Sequence, residues 1–267
     1  MARTVSELDE MAFLGRLIAG GTDLLVQLRA RPPTPTYLVD LTNLRDGPPG
    51  TADLGDVVEI SAVTPIEDIV QALRGALPGL AQAASVFASR QIRNRATIGG
   101  NLANASPAAD LVPPLVAAGA LLRLRRAGQE RLVPISAFNL GPGRTALQPG
   151  EWIMSVRVPR ATHQEGFRKL GLRAAMAISI VSLSWRWKRN GDGVLGDVRL
   201  AVGAVAPIVR RCSETESALE GKRLDSRTVE RAVRLIRDEV EPIDDIRASA
   251  WYRRQMTGEL LKEALTA

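Results

Sequence analysis

Cysteine and histidine are nearly missing from this 267-residue chain, which holds one of each, Cys212 and His163. A single thiol excludes an internal disulfide and an internal iron–sulfur cluster, which needs several thiolates. A single histidine argues against a histidine-built metal site or a Ser-His-Asp triad. It lies in the loop-like stretch PRATHQEG, where a solvated loop histidine is expected. Aromatic residues make up 4% of the chain against 45% hydrophobic residues in all, so Ala, Val, Leu and Ile must build the core. No apolar run reaches the roughly 18 residues of a membrane span. The opening MARTVSELDEMAF lacks the basic and apolar regions of a secretory signal. These absences lead us to expect a reduced, metal-free, cytoplasmic protein. The net charge is +6, but the arginines alternate with carboxylates and no basic run is interleaved with aromatics, which excludes a nucleic-acid groove. A solvated surface with some attraction for anionic nucleotides or an acidic partner subunit accounts for the charge. The length predicts two or three domains.

What is present is concentrated between Ala88 and Leu111, ASRQIRNRATIGGNLANASPAADL. Residues without bulky side chains let another molecule approach the main chain, so Gly99 and Gly100 followed by Asn101 predict backbone N–H groups open to a ligand, phosphate above all. Asn104, Ser106 and Pro107 follow, and Asp110 stands where a carboxylate accepts hydrogen bonds from sugar hydroxyls. The residues alone fit equally a glycine hairpin followed by a proline-broken loop.

In chain order, Ser6 with Asp9 predicts a short capped helix, and Arg16-Leu17-Ile18 a brief strand. The strand runs through Ala19-Gly20-Gly21-Thr22-Asp23 into a helix with Leu24, Leu25 and Leu28 at helical spacing. Such a turn offers free N–H groups to an anion; Thr22 and Asp23 serve equally well as caps. Pro32, Pro33 and Pro35 are expected to end the helix, and TYLVDL to return as a second strand, closing a βαβ unit. From Gly50 onward VVEISAV reads as a strand. Thr64-Pro65-Ile66-Glu67 reads as a capping box before a helix with Ile66, Ile69, Val70 and Leu73 on one face, and Pro78 to Ala88 as a buried helix. Strands are expected around LLRLRR, RLVPIS and EWIMSVRVP, and a linker from Thr162 to Glu165. Beyond it, GFRKLGL, ISIVSLSWRWK and GDVRLAVGAVAP are antiparallel strand candidates, with a turn at Asn190-Gly191-Asp192-Gly193. Helices around 213–220, 225–240 and 245–265 follow, with Val229, Ala232, Val233 and Ile236 facing inward.

The two glycine motifs, AGGTDL and IRNRATIGGNLANASPAADL, resemble the flavin-binding signatures of the FAD subunit of the molybdenum hydroxylases. FRKLGLRAAMAISIVS, VRLAVGAVAP and PIDDIRASAWYRR are similar to that family's C-terminal domain, so the resemblance covers nearly the whole chain. It implies an α+β protein: a two-subdomain PCMH-type FAD-binding fold over residues 1–50 and 51–160, then a C-terminal domain with an antiparallel sheet and helices over 161–267. By resemblance, Ala19, Gly20, Gly21, Thr22, Asp23 and Leu24 form the first pyrophosphate loop, and Thr97, Gly100 and Asn101 belong to the second. Ser106 and Asp110 match positions that reach the FAD phosphates or sugar hydroxyls, and Ala146 an apolar contact near the flavin ring. Lys169 matches a basic residue at the flavin's pyrimidine edge, where a cation stabilises the anionic reduced flavin. The residue alone fits an exposed strand-end lysine as well. Only a short stretch precedes Leu17, where family members have an aromatic-containing strand, a proline and a longer helix, so the resemblance does not carry over the outer wall of the first subdomain or its grip on the adenine end.

The function implied is electron relay. A molybdopterin large subunit and a [2Fe–2S] small subunit deliver electrons to non-covalently bound FAD, which passes them to NAD⁺, a quinone or dioxygen. The chain itself is expected to carry no metal and no cluster. Two other readings stay open: a free-standing FAD oxidoreductase, which would need a proton donor beside its flavin, and a flavin-free assembly subunit.

Overall fold

The computed structural model describes residues 1–30, 37–48, 50–160 and 163–266. The prolines expected to end the first long helix, Pro32, Pro33 and Pro35, lie outside these residues, as does Thr162 of the expected linker. The chain opens with α1 (Val5–Met11), capped by Thr4, whose hydroxyl accepts from Glu7 N, while Glu7 reaches back to Arg3 N at 2.7 Å. Thr4 and Glu7 therefore form the reciprocal cap that the sequence suggested for Ser6 and Asp9, two residues further on. Asp9 is freed for other work: its carboxylate accepts from the Trp152 indole at 3.1 Å and from Gly128 N at 2.9 Å, and pairs with Arg125. Then β1 (Arg16–Ile18), α2 (Leu24–Ala30) and β2 (Leu38–Asp40) form the βαβ unit, with β1 and β2 parallel. None of α2's residues is buried, and Leu25 and Val26 are exposed, so the apolar spacing of this helix does not mark a core-facing stripe. The unit has no large core of its own: Ala2, Val5, Leu8, Ala12 and Val39 cluster with Trp152 and Met154, from much later in the chain.

The middle of the chain starts with β3 (Thr51–Asp53), β4 (Val57–Ser61), α3 (Ile66–Ala72) and α4 (Pro78–Ser85). No capping box forms at α3: the Thr64 hydroxyl donates to Gly50 O at 2.6 Å and Glu67 pairs with Arg93 and Arg90. After the short α5 (Arg90–Arg93) come α6 (Ile98–Ala103) and α7 (Val112–Ala118). Pro113 and Pro114 hid α7 from sequence reading. Both sit in its first turn, where a missing N–H costs nothing, and Gly119 ends it at φ +69. The segment closes with β5 (Leu121–Arg126), β6 (Gln129–Pro134), α8 (Ile135–Phe138), the β7 (Asn139–Gly141)–β8 (Arg144–Thr145) hairpin and β9 (Trp152–Pro159). Antiparallel pairing orders the sheet β3-β4-β9-β5-β6, and α3, α4, α6 and α7 pack on its apolar face.

The C-terminal part is a second antiparallel sheet, ordered β10 (Gln164–Leu170), β11 (Val181–Arg189), β12 (Leu195–Gly203) and β13 (Arg210–Arg211). Gln164 and Glu165 are already strand, not linker. Gly166 is forced by its cross-strand partner, since a Cβ there would lie 2.1 Å from the Trp185 ring. Three helices, α9 (Ser213–Leu219), α10 (Ser226–Asp238) and α11 (Ala250–Thr266), cover one face, with Val229, Ala232, Val233 and Ile236 buried beneath them. The other face lies against α4 and α7, so both faces of β11 are buried.

That second face carries charge. The side chain of Arg186, 4% exposed, approaches Glu165 at 3.2 Å and donates to Ala118 O and Pro159 O across the seam. His163 belongs to the same seam: its ring is 6% exposed and its Nε2 stands 2.6 Å from Asp197 Oδ2, so it is not the solvated loop residue the sequence suggested. Burial, with a smaller contribution from Arg186, outweighs the Asp197 carboxylate and holds the imidazole below its ordinary value. The unfolded chain therefore binds a proton that the folded one refuses, and stability present above the ordinary value of about 6.5 is lost as the pH falls below it. The urea midpoint is expected to drop between about pH 7.5 and pH 5.5 by more in the native protein than in His163→Gln. Equal drops would mean that the imidazole titrates freely.

Candidate functional site

The stretch from Arg95 to Asp110 is a hub to which several distant segments are fastened. Gly20 lies so close that a Cβ on it would fall 1.9 Å from Arg95 O. Gln27 of α2 donates to Asn104 at 3.0 Å, and Gly143, in the β7–β8 turn, donates to Ala105 O at 3.1 Å. From the C-terminal sheet, Ala204 N reaches Pro107 O at 2.9 Å, while Lys169 and Ser179 both reach Asp110. Two walls of the candidate site thus meet at the hub, the βαβ unit and the β10–β11 connection.

On the first wall, Ala19 to Leu24 form the turn from β1 into α2. Gly21 takes φ +69, a conformation that costs glycine little. Among the described residues, the N–H groups of Gly20, Gly21, Thr22 and Asp23 find no acceptor. Thr22 and Asp23 do not cap α2; the Asp23 carboxylate instead accepts from Gln27 Nε2 at 2.6 Å. Leu24 begins the helix, half-buried. Several convergent, unspent N–H donors are what a phosphate oxygen needs.

The second glycine pair works differently from its sequence reading. It is helix, not loop, and its donors are spent. Ile98 N binds Thr64 O, Gly99 N binds Ala62 O, Gly100 N binds the Thr97 hydroxyl, and Asn101 N binds Thr97 O. Thr97, buried, is the N-cap of α6. Gly99 is small because α6 presses on residue 62, where a Cβ would meet Ala62 Cβ and O at 2.7 Å each. Gly100 is exposed, and a Cβ there meets only the Thr97 hydroxyl, at 3.1 Å. The residue beside it keeps an open valence, since Asn101 Oδ1 is buried without a hydrogen-bond donor. Ser106 accepts from Ala108 N in the turn that follows. Ala146, half-buried past the hairpin, packs against the core and donates to Phe138 O at 2.8 Å.

On the second wall, Lys169 is neither exposed nor free. Its ammonium donates to Asp110 Oδ2 at 2.7 Å and to Ala177 O at 3.0 Å, which leaves one of three N–H groups unspent. The other carboxylate oxygen of Asp110 accepts from the Ser179 hydroxyl at 2.5 Å. Burial pushes the Asp110 carboxyl above its ordinary value, against the pull of Lys169 and Ser179. Asp110 therefore has both oxygens on protein donors, where the sequence suggested a carboxylate open to sugar hydroxyls. Ser179 escaped sequence reading because a serine opening an apolar strand carries no signal of its own.

Comparisons with known proteins place the chain in a family. Residues 4–161 match the family described as the FAD binding domain in molybdopterin dehydrogenase, and residues 166–267 match the CO dehydrogenase flavoprotein C-terminal domain. The carbon monoxide dehydrogenase medium chain of Hydrogenophaga pseudoflava is 30% identical over 275 residues, covering 100% of this chain and 93% of its own. The xanthine dehydrogenase FAD-binding subunit of Escherichia coli O157:H7 is 31% identical over 265 residues, covering 94% of this chain and 89% of its own. The solved carbon monoxide dehydrogenase from Hydrogenophaga pseudoflava lacking the Mo-pyranopterin moiety superposes with a TM-score of 0.92 at 31% identity, covering 100% of this chain and 94% of that one. Among the described residues, no helix is long and apolar enough to cross a membrane. With both halves matched in order over nearly its full length, the chain belongs to the FAD-binding subunits of the molybdenum hydroxylases of carbon monoxide and xanthine dehydrogenase type, and is an oxidoreductase component.

Proposed function

We propose that this chain holds FAD non-covalently in the site around residues 95–110 and relays electrons from the [2Fe–2S] clusters of a small subunit, reduced in turn by a molybdopterin large subunit, to an acceptor such as NAD⁺, a quinone or dioxygen. The observation that carries the reading is the set of unspent donors on the segments fastened to the hub: the N–H groups of Gly20 to Asp23 and the third Lys169 N–H. The residues fit the cofactor. Its diphosphate needs converging donors and no carboxylate nearby that lacks a partner, and Asp23 and Asp110 are each engaged. Asn101 Oδ1 awaits a donor, which a sugar hydroxyl supplies.

Bound FAD supplies two-electron storage with release one electron at a time. The chain's own contribution is binding and electrostatics. Gly20 to Asp23 would hold anionic oxygen, and Thr97, Gly100, Asn101 and Ser106 would line the cofactor from the α6 side, where the Gly100 and Asn101 N–H groups are already spent within the chain. Lys169 offers a fixed positive charge at the ring edge, and Ala146 an apolar surface for the ring. By its resemblance to medium chains of multisubunit enzymes, we assign the metal chemistry to partner subunits. Neither glycine turn contains a histidine or cysteine to form a covalent flavin link. The purified protein is therefore expected to be yellow, with about one FAD per chain, and acid or heat precipitation should release all of it. Colour remaining on the precipitate would refute non-covalent binding; a colourless native protein that also fails to take up added FAD would refute the function.

A further inference from the structure

We propose that Ser179 is a positioning residue for the Lys169 ammonium, acting through the one carboxylate that both of them hold, and that it thereby sets the electrostatic environment of the bound flavin. The proposal rests on the FAD reading above. Its basis is the arrangement of three buried groups. Lys169 ends β10 and Ser179 stands just ahead of β11, so they flank the connection between these strands. Asp110 comes from the other half of the molecule, just ahead of α7, and gives Oδ2 to Lys169 and Oδ1 to Ser179. One carboxylate thus fixes both ends of that connection. Ala177, inside it, supplies the second acceptor that holds the ammonium, at 3.0 Å.

The Ser179 hydroxyl is fully buried and spends its proton on a charged acceptor. Ser184, on the next strand, shows the ordinary alternative: its hydroxyl donates to a neutral backbone oxygen, Gly166 O. A hydrogen bond to a carboxylate is roughly twice as strong as one between neutral groups. It draws negative charge toward Oδ1 and fixes the plane of the carboxylate, so that Oδ2 meets the ammonium while the third N–H stays free for the site. Without the hydroxyl, Oδ1 is stranded and the carboxylate turns its full charge on Lys169. Less of the cation's field then reaches the flavin, and the reduced, anionic form of the cofactor is less favoured.

The test compares the FAD-loaded native protein with Ser179→Ala, Lys169→Met and the double variant, reading flavin content and midpoint potential by anaerobic equilibration with reference dyes. Lys169→Met is expected to disfavour reduction about tenfold, which is about 30 mV for a two-electron couple. Ser179→Ala should shift the potential in the same direction by a several-fold smaller factor, with flavin content unchanged. Ser179→Cys, of similar size but a weaker donor, should fall between it and the native protein, and carries the test if the alanine variant folds poorly. In the double variant Ser179 has no ammonium left to position, so its potential should equal that of Lys169→Met. A native potential in Ser179→Ala, or shifts that add in full, would overturn the proposal. Loss of flavin from the native protein itself would instead count against the FAD reading.

Discussion

Gly20→Ala is expected to empty the site. The added Cβ would lie 1.9 Å from Arg95 O, 2.6 Å from its carbon and 2.9 Å from Ala96 Cα, all of them backbone atoms. No rotamer change relieves such contacts, so the β1–α2 turn must move off the hub, and its unspent N–H groups move with it. Overpacking of this kind typically costs about 1–3 kcal/mol. The cofactor's own contribution to stability is lost in addition, because a ligand stabilises only the state that binds it. Purified Gly20→Ala should retain under roughly a tenth of the native flavin and unfold at lower urea; this position faces rigid backbone, so even one methyl group is felt. Gly100→Ala is the control. Its Cβ meets a single hydroxyl at 3.1 Å, and alanine regains up to about 1 kcal/mol of helix propensity inside α6. Its stability should stay within about 1 kcal/mol of native, so any flavin it loses reports cofactor contact directly. A Gly20→Ala protein as yellow and as stable as the native one would remove the first glycine turn from the site.

The second large effect is expected away from the site, at Arg186→Met. Among the described residues, the guanidinium is the one positive charge paired with Glu165, whose own side chain is 8% exposed, and its donors reach Ala118 O and Pro159 O in the other half of the molecule. The two charged groups stand 3.2 Å apart without good hydrogen-bond alignment, so the contact is an ion pair held by charge and burial. Methionine fills the volume but strands a carboxylate in a dry seam and leaves two carbonyl oxygens short of a donor. Removing one partner of a buried pair typically costs about 3–5 kcal/mol, which is a large share of a domain's total stability. Urea unfolding followed by fluorescence of the stacked Trp185 and Trp187 rings should register that loss. Adding Glu165→Gln should recover part of it, because the stranded charge is then gone. A single variant within about 1 kcal/mol of native would show that the seam admits water.

These two predictions also mark where the sequence was legible and where it was not. The strands β1, β5, β9, β11 and β12, the Asn190 turn and the inward face of α10 follow from local pattern, and all stand close to their expected places. The first glycine turn was legible too, because its open donors result from small residues between a strand and a helix. The second was misread for a physical reason: glycine grants close approach without saying what approaches. At Gly99 it is residue 62 of the same chain, and at Gly166 a tryptophan on the next strand. Asp110, Lys169 and Ser179 are separated by 59 and 69 residues of chain from their shared carboxylate outward, so no window could join them. The seam was not read from the sequence, because the partners of Arg186 at 118, 159 and 165 belong to the tertiary fold.

The N-terminal residues borrow their apolar partners from β9, and this reaches back to the making of the protein. Asp9 and the Trp152 indole that binds it are 143 positions apart. During translation the α1 segment leaves the ribosome long before β9 is polymerised, and until then Ala2, Val5, Leu8 and Ala12 have nothing lasting to cover them. Contacts this remote in sequence carry a loop-closure cost that slows folding, and an apolar segment that waits uncovered is a natural client for chaperones. The first wall of the site to be synthesised is thus the last to be secured.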